Sequence, residues 1–341
     1  MIPMFRLFKS NSCIDEVAAT TKKRSFFNIA ITFLLIYFAG SLAAAIILMV
    51  PLYSSLLNDP EIIALMSSNL SEAELTEAIN NAMIRIQNEF PAWMSPFSLF
   101  ATAATIFAVI YFAKRFERRS MFSLGFAKKG FASEYAIGAG IGLLMISLTY
   151  GIALISGEVS LVGLNKAAVP EIIFLYFLGF IIQGASEEIL LRGYFFVTAS
   201  AHSNIIVGGV ANSLIFALLH ITNNGITPLA LINIFLFGIF ASLYFLRRGS
   251  IWGICAVHTV WNFVQGNVFG CSVSGGVIEQ TILTTASKGS SAIFSGGSFG
   301  LEGGLGTTIV LLGGISVLTF MKNKNIYEFF SRKTKEFIPA Y

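Results

Sequence analysis

Between Gly193 and Leu246 the chain carries no aspartate, glutamate, lysine or arginine. No soluble domain of ordinary composition runs so far without charge, because its surface needs ionised groups roughly every fourth residue. The stretch holds two apolar runs, split by Thr222-Asn223-Asn224-Gly225 and Pro228. Each run has the length of a membrane crossing, for which ~20 apolar residues suffice. The rest of the chain has the same character. Of its 341 residues 55% are hydrophobic and 12% charged, and the mean hydropathy is +0.76. Disorder is excluded, since it needs low hydrophobicity and high charge. Three cysteines, Cys13, Cys255 and Cys271, give neither a disulfide framework nor a CxxC pair. No basic stripe lies on any folded segment, so nucleic acid is not expected as a partner.

Reading the other apolar runs in the same way predicts an all-α, polytopic membrane protein with about eight transmembrane helices. They fall near 26–50, 93–113, 135–156, 171–192, 204–220, 227–246, 250–270 and 304–321. Placing the N-terminus in the cytoplasm makes 1–24, 114–134, 247–249 and 322–341 cytoplasmic. These segments hold 18 lysines and arginines, whereas the external segments hold three, Arg85, Lys166 and Lys288. Cytoplasmic loops are enriched in lysine and arginine, so the distribution predicts that both termini are cytoplasmic. Arg192 alone is left within the membrane. Lys22-Lys23-Arg24 before an apolar run resembles the start of a signal peptide, but the run of about 25 residues exceeds a 7–15-residue h-region. An uncleaved first span is the expectation.

Three regions follow. Residues 1–170 form an N-terminal region of three spans and an external loop, 52–92. In that loop Glu72, Leu75, Ile79 and Ala82 have helical spacing, which predicts a short amphipathic helix. Residues 171–270 form a core of four spans. Residues 271–341 comprise a Gly/Ser-rich external loop, a last span and a basic tail. Loop 271–304 reads by composition as flexible.

Ionisable groups inside spans are costly, by roughly 2.5–3.5 kcal/mol at the least, so they face a cavity or a partner. Here they fall in three adjacent spans. Glu187 and Glu188 precede Arg192, and the i,i+4 spacing of Glu188 and Arg192 puts that pair on one helix face. An intrahelical ion pair accounts for them and leaves Glu187 unexplained, about 100° away. Adjacent carboxylates repel, which favours a proton on one of them. This is the property of a general base working near neutral pH. His220 ends the next span and by itself reads as an interfacial histidine. His258 and Asn262, again i,i+4, by themselves read as interhelical hydrogen bonding. Together these side chains suffice for hydrolysis. A carboxylate takes a proton from water, a histidine holds that water, and a second histidine with an amide donates to a developing oxyanion. No serine–histidine–acid set of comparable strength is visible; Ser186 is the one hydroxyl nearby.

The ordered pattern EExxxR, FxxxH, HxxxN, here Glu187-Glu188…Arg192, Phe216…His220 and His258…Asn262, resembles that of the CAAX protease and bacteriocin-processing (CPBP, or Abi) family of intramembrane endopeptidases. The likeness covers about residues 171–270. It implies hydrolysis of a peptide bond in a membrane-associated protein or peptide at the lipid bilayer. Glu187 would be the general base, His220 would help activate water, and His258 and Asn262 would form the oxyanion hole. Glu188, Arg192 and Phe216 would be supporting residues, with Glu188 as base the alternative. No cofactor is expected. A zinc site remains the alternative and would draw on Glu187, His220 and His258, although the HExxH helix is missing. Analogy implies a site that opens to the cytoplasm and a bacterial plasma-membrane protein. The rival classes are a non-catalytic membrane protein for bacteriocin immunity or peptide binding, and a proton-coupled transporter.

One geometric requirement follows. If spans four and five were straight and of full length, Glu187 and His220 would lie at opposite ends of the membrane, too far apart at 1.5 Å per residue for shared chemistry. The site therefore requires span four to continue past Arg192 through Tyr194–Ala199, or span five to tilt or start inside the bilayer.

Overall fold

A computed structural model describes residues 10–66, 71–88, 92–288 and 291–320. The basic tail expected after the last span lies outside the described residues. A short amphipathic helix α1 (Ser12–Thr20), capped by Asn11, is followed by α2 (Phe26–Leu57), capped by Ser25. Helix α2 continues seven residues beyond the expected end of the first span and carries Pro51 within it. Helices α3 (Pro60–Met66) and α4 (Glu72–Asn88) follow. Helix α4 is the amphipathic helix expected from Glu72, Leu75, Ile79 and Ala82. It buries Ala82 against Ile62 of α3, and Arg85 meets the carboxylates of Asp59 and Glu61.

The bundle proper begins with α5 (Met94–Ala101) and α6 (Ala103–Arg115), which together make one apolar run of 22 residues. Next come α7 (Phe131–Ile155) and the strand β1 (Val159–Leu164). Helix α8 (Pro170–Glu188), a π-helical segment Ile189–Phe196 and α9 (Val197–His202) form one continuous helical element of 33 residues. Three helices pack around it: α10 (Ile205–Leu219), α11 (Pro228–Arg248) and α12 (Ile251–Phe263). A π turn, Val264–Val268, extends α12. Strand β2 (Leu283–Ser287) and α13 (Leu305–Phe320) follow. The helix starts are written in the sequence: Asn204 and Thr227 cap α10 and α11 with their side-chain oxygens, and Pro228 opens α11 at its first turn.

The protein is a helical, polytopic membrane protein. Among the described residues five elements are long and apolar enough to cross a bilayer: Phe26–Leu57, Met94–Arg115, Phe131–Ile155, Pro170–His202 and Pro228–Arg248. The expected count of eight is not reached. Helices α10 and α13 are apolar but have 15 and 16 residues, about 22–24 Å of rise, short of a hydrocarbon core of ~30 Å. Helix α12 has 13 residues before its π turn.

The expectation that loop 271–304 is flexible is corrected. Its strand β2 pairs antiparallel with β1, Val159 opposite Ser287 and Leu164 opposite Leu283, with an irregularity between Leu161 and Gly163. Phe299 and Leu301 are fully buried. Glu158 pins the loop: its carboxylate accepts from Ser291 Oγ and from the amides of Ile293, Phe294 and Ser295. Burial pushes this carboxyl up, but those hydrogen bonds outweigh it and hold the group down at about 2. Glycines are frequent because the backbone turns through left-handed conformations (Gly270, Gly296, Gly300) against neighbouring backbone atoms, not because the loop is free.

Candidate active site

Fifteen residues separate Glu187 from His202 at the end of its element, and fifteen separate Ile205 at the start of α10 from His220. The two helices are joined by a tight turn at residues 203–204 and run antiparallel. The same rise of about 22 Å therefore carries Glu187 and His220 to one level. The requirement raised by the sequence is met in its first form: span four does continue through Tyr194–Ala199.

At that level eight side chains converge. Glu188 Oε1 accepts from Arg192 Nη1 at 3.0 Å and from His258 Nδ1 at 2.8 Å. Glu188 and Arg192 are fully buried. The ion pair read from i,i+4 spacing exists and does a second job, since its carboxylate also orients His258. Because an ionised carboxylate only accepts, His258 Nδ1 carries the proton. The other ring nitrogen, Nε2, then points toward Glu187, with Oε2 at 3.8 Å. Glu187 Oε1 accepts from Gln183 Nε2 at 2.6 Å, and Gln183 Oε1 accepts from Asn262 Nδ2 at 3.1 Å. His220 Nδ1 donates to the Phe216 carbonyl at 2.8 Å, which leaves the Nε2 lone pair on the open side of the ring. Phe216 is the spacer of the group. Arg192 lies over its ring at 4.6 Å and the His220 ring stands edge-on to it at 4.7 Å. Thus each of Glu187, Glu188, Arg192, Phe216, His220, His258 and Asn262 falls in one constellation.

The two glutamates differ in access. Glu188 has no exposed surface, while the Glu187 side chain keeps 29%. Glu187 and His220 both line two clefts. One is walled by α2 through Tyr37, Ser41, Ala44, Ala45 and Leu48. The other is polar, lined by Gln183, Thr222, Asn223, Asn224, Asn262 and the segment Val273–Gly276. Behind the histidines lies a third, smaller space lined by Asn233, Trp261, Ser274 and Glu302.

Two participants were missed by the sequence reading. Gln183 precedes Glu187 by four residues, so its spacing was a usable signal. Glu302 had none, since it stands among glycines far along the chain. It is held by the amide and hydroxyl of Ser274, and Ser274 in turn accepts from Asn223 Nδ2 through its carbonyl. Ser186, noted for its hydroxyl, donates to the Gln183 carbonyl within its own helix. Among the described residues no group of three or more histidine, cysteine, aspartate or glutamate side chains is arranged to hold a metal ion.

The fold and site define a multi-pass membrane protein with an ionisable cluster inside its helical core. Residues 169–264, which contain the whole constellation, match the family described as Type II CAAX prenyl endopeptidase Rce1-like. Over this core segment the chain is similar to CAAX proteases. No curated protein and no solved structure matches the chain. Ser274 and Glu302 lie beyond the matched segment.

Proposed function

We propose that the protein is a metal-free intramembrane endopeptidase that uses Glu187 to activate water. The observation that carries this reading is the division of labour between adjacent carboxylates. Glu188 has no exposed surface and holds Arg192 and His258 through Oε1, while Glu187 borders both clefts and keeps 29% of its side chain exposed. The base is therefore Glu187 and not Glu188. Water held by Glu187 and His220 Nε2 gives its proton to Glu187, and its oxygen adds to the substrate carbonyl. The negative oxygen that forms is met by His258 Nε2–H and by the amide proton of Asn262 that Gln183 does not use. For His258 to donate from both nitrogens it acts as imidazolium, with Nδ1–H held by Glu188 Oε1. Glu187 then passes its proton to the departing amine, which breaks the C–N bond and restores the carboxylate. No step is routed through zinc, because among the described residues no group of three or more histidine, cysteine, aspartate or glutamate side chains is arranged to hold a metal ion.

The substrate class is a membrane-associated peptide or protein. The Lys/Arg distribution supports both termini in the cytoplasm. The test is cleavage of a membrane-peptide library by purified wild type, Glu187→Gln and His220→Ala, each with and without a zinc chelator. Removing a general base typically lowers the rate by roughly 10²–10⁴-fold. We expect that loss in Glu187→Gln with an unchanged fold, and no effect of chelator on wild type. Equal cleavage by all three proteins refutes the assignment, and loss on chelation with rescue by zinc moves it to a metal mechanism.

A further inference from the structure

The ends of the bundle are chemically unlike. At one end stand the tips of α2, α6, α7, α9 and α11, with Arg24 bonded to Glu117, Arg119 to Thr198, and Arg248 to Glu134. Eleven of the lysines and arginines in the described residues lie in the segments at this end. At the other end stand the β1–β2 pair, the turn after His220 and loop 271–304, tied together by the Asn165 amide on the Ile282 carbonyl and Asn223 on the Ser274 carbonyl. Lys166 and Lys288 are the cations of these segments.

The constellation does not communicate equally with both ends. Toward the basic end it rests on the π segment, where Leu191, Arg192, Tyr194, Phe195 and Phe196 are all at most 1% exposed. Gly193 completes this floor, since even one added carbon would meet the Leu124 carbonyl at 2.8 Å. Toward the other end the polar cleft rises from Glu187 and His258 to Thr222, Asn224 and Gly276, which are exposed.

We infer that the site opens away from the cytoplasm, and that its substrate is a membrane-anchored polypeptide whose scissile bond is presented from the non-cytoplasmic face. This rests on the peptidase reading for the word substrate, and on the enrichment of lysine and arginine in cytoplasmic loops for the side. It reverses the cytoplasmic opening that family analogy implies. A lipidated C-terminus in the cytoplasm would meet the packed floor. A segment leaving the bilayer on the other side meets the cleft directly. The apolar groove along Ser41, Ala44 and Ala45 of α2 receives the substrate's membrane-embedded part, because it shares Glu187 and His220 with the polar cleft.

The test is labelling with a membrane-impermeant maleimide. The background is full-length protein with Cys271→Ser, in which Cys13 and Cys255 are buried. Thr222→Cys and Asn224→Cys sit in the mouth, and Lys128→Cys at the basic end serves as the control. The expected result is labelling of both mouth variants in intact cells and of Lys128→Cys only after permeabilisation. Bulky maleimide on either mouth cysteine then abolishes cleavage of the membrane-peptide library, while maleimide on Lys128→Cys does not. Labelling of the mouth variants only after permeabilisation overturns the inference, and so does full cleavage with the mouth blocked. Labelling needs no turnover, so the side is decided even if the peptidase reading fails.

Discussion

At the scale of single residues, the site turns on two neighbouring glutamates with opposite fates. Glu188 is a buried anion between a buried arginine and a histidine. Replacing it with glutamine leaves Arg192 as an uncompensated buried charge, a loss typically worth about 3–5 kcal/mol. Glu188→Gln should therefore unfold markedly earlier than wild type in a denaturation series in detergent, whereas Glu187→Gln should retain wild-type stability. Equal stability of the two variants would contradict the clamp role of Glu188. Asn262→Ala should lower turnover by roughly 10²–10³-fold with little change in substrate affinity, as loss of one oxyanion donor does elsewhere; a KM effect alone would count against that role. The sequence showed these residues readily, since charge within apolar runs is conspicuous. It did not show which carboxylate is sealed, because exposure depends on what α12 and α2 place around the pair.

At the scale of elements, close helix approach and loop anchoring dominate. Helices α7 and α12 touch backbone to backbone: a methyl group on Gly138 would lie 2.0 Å from the Gly253 carbonyl. Gly138→Ala must push the two helices apart, and overpacking of this kind costs about 1–3 kcal/mol or more. Lower thermal stability in detergent, with His258 displaced and activity reduced, is the expected outcome. The Glu158 anchor makes a pH prediction. Its carboxyl is held at about 2 in the folded protein against an ordinary value of 4.5. A depressed carboxyl stabilises the fold fully above the ordinary value and loses that contribution as pH falls toward the folded one. Amides 293–295 should thus lose hydrogen-exchange protection between about pH 4.5 and pH 2, and Glu158→Gln should abolish that dependence. Helix positions were legible because caps and apolar runs are local. The order in loop 271–304 was not, because its partners, Glu158 and β1, lie more than a hundred residues upstream.

At the scale of the whole molecule, the N-terminal segments belong to the core and are not an appendage. Arg24, which precedes α2, and Arg119, after α6, share Glu117, which also accepts from the Tyr194 hydroxyl of the π segment. Glu117→Ala leaves two arginines facing one another beside a buried tyrosine. Breaking such a pair is strongly destabilising, so the variant should expose the α1–α2 junction to limited proteolysis while wild type resists it.

The sequence by itself determined that the chain lives in a membrane, where its helices start, and which ionisable side chains stand inside its apolar runs. Each of these follows from transfer of apolar surface and from the cost of charge in hydrocarbon, and both act residue by residue. Only the tertiary structure decided that Glu187 and His220 share a level, that Gln183 and Glu302 join the site, and that the floor is closed and the mouth is open. Those facts depend on how far one helix continues beside another and on which distant loop fills the space above, and no local pattern of residues encodes either.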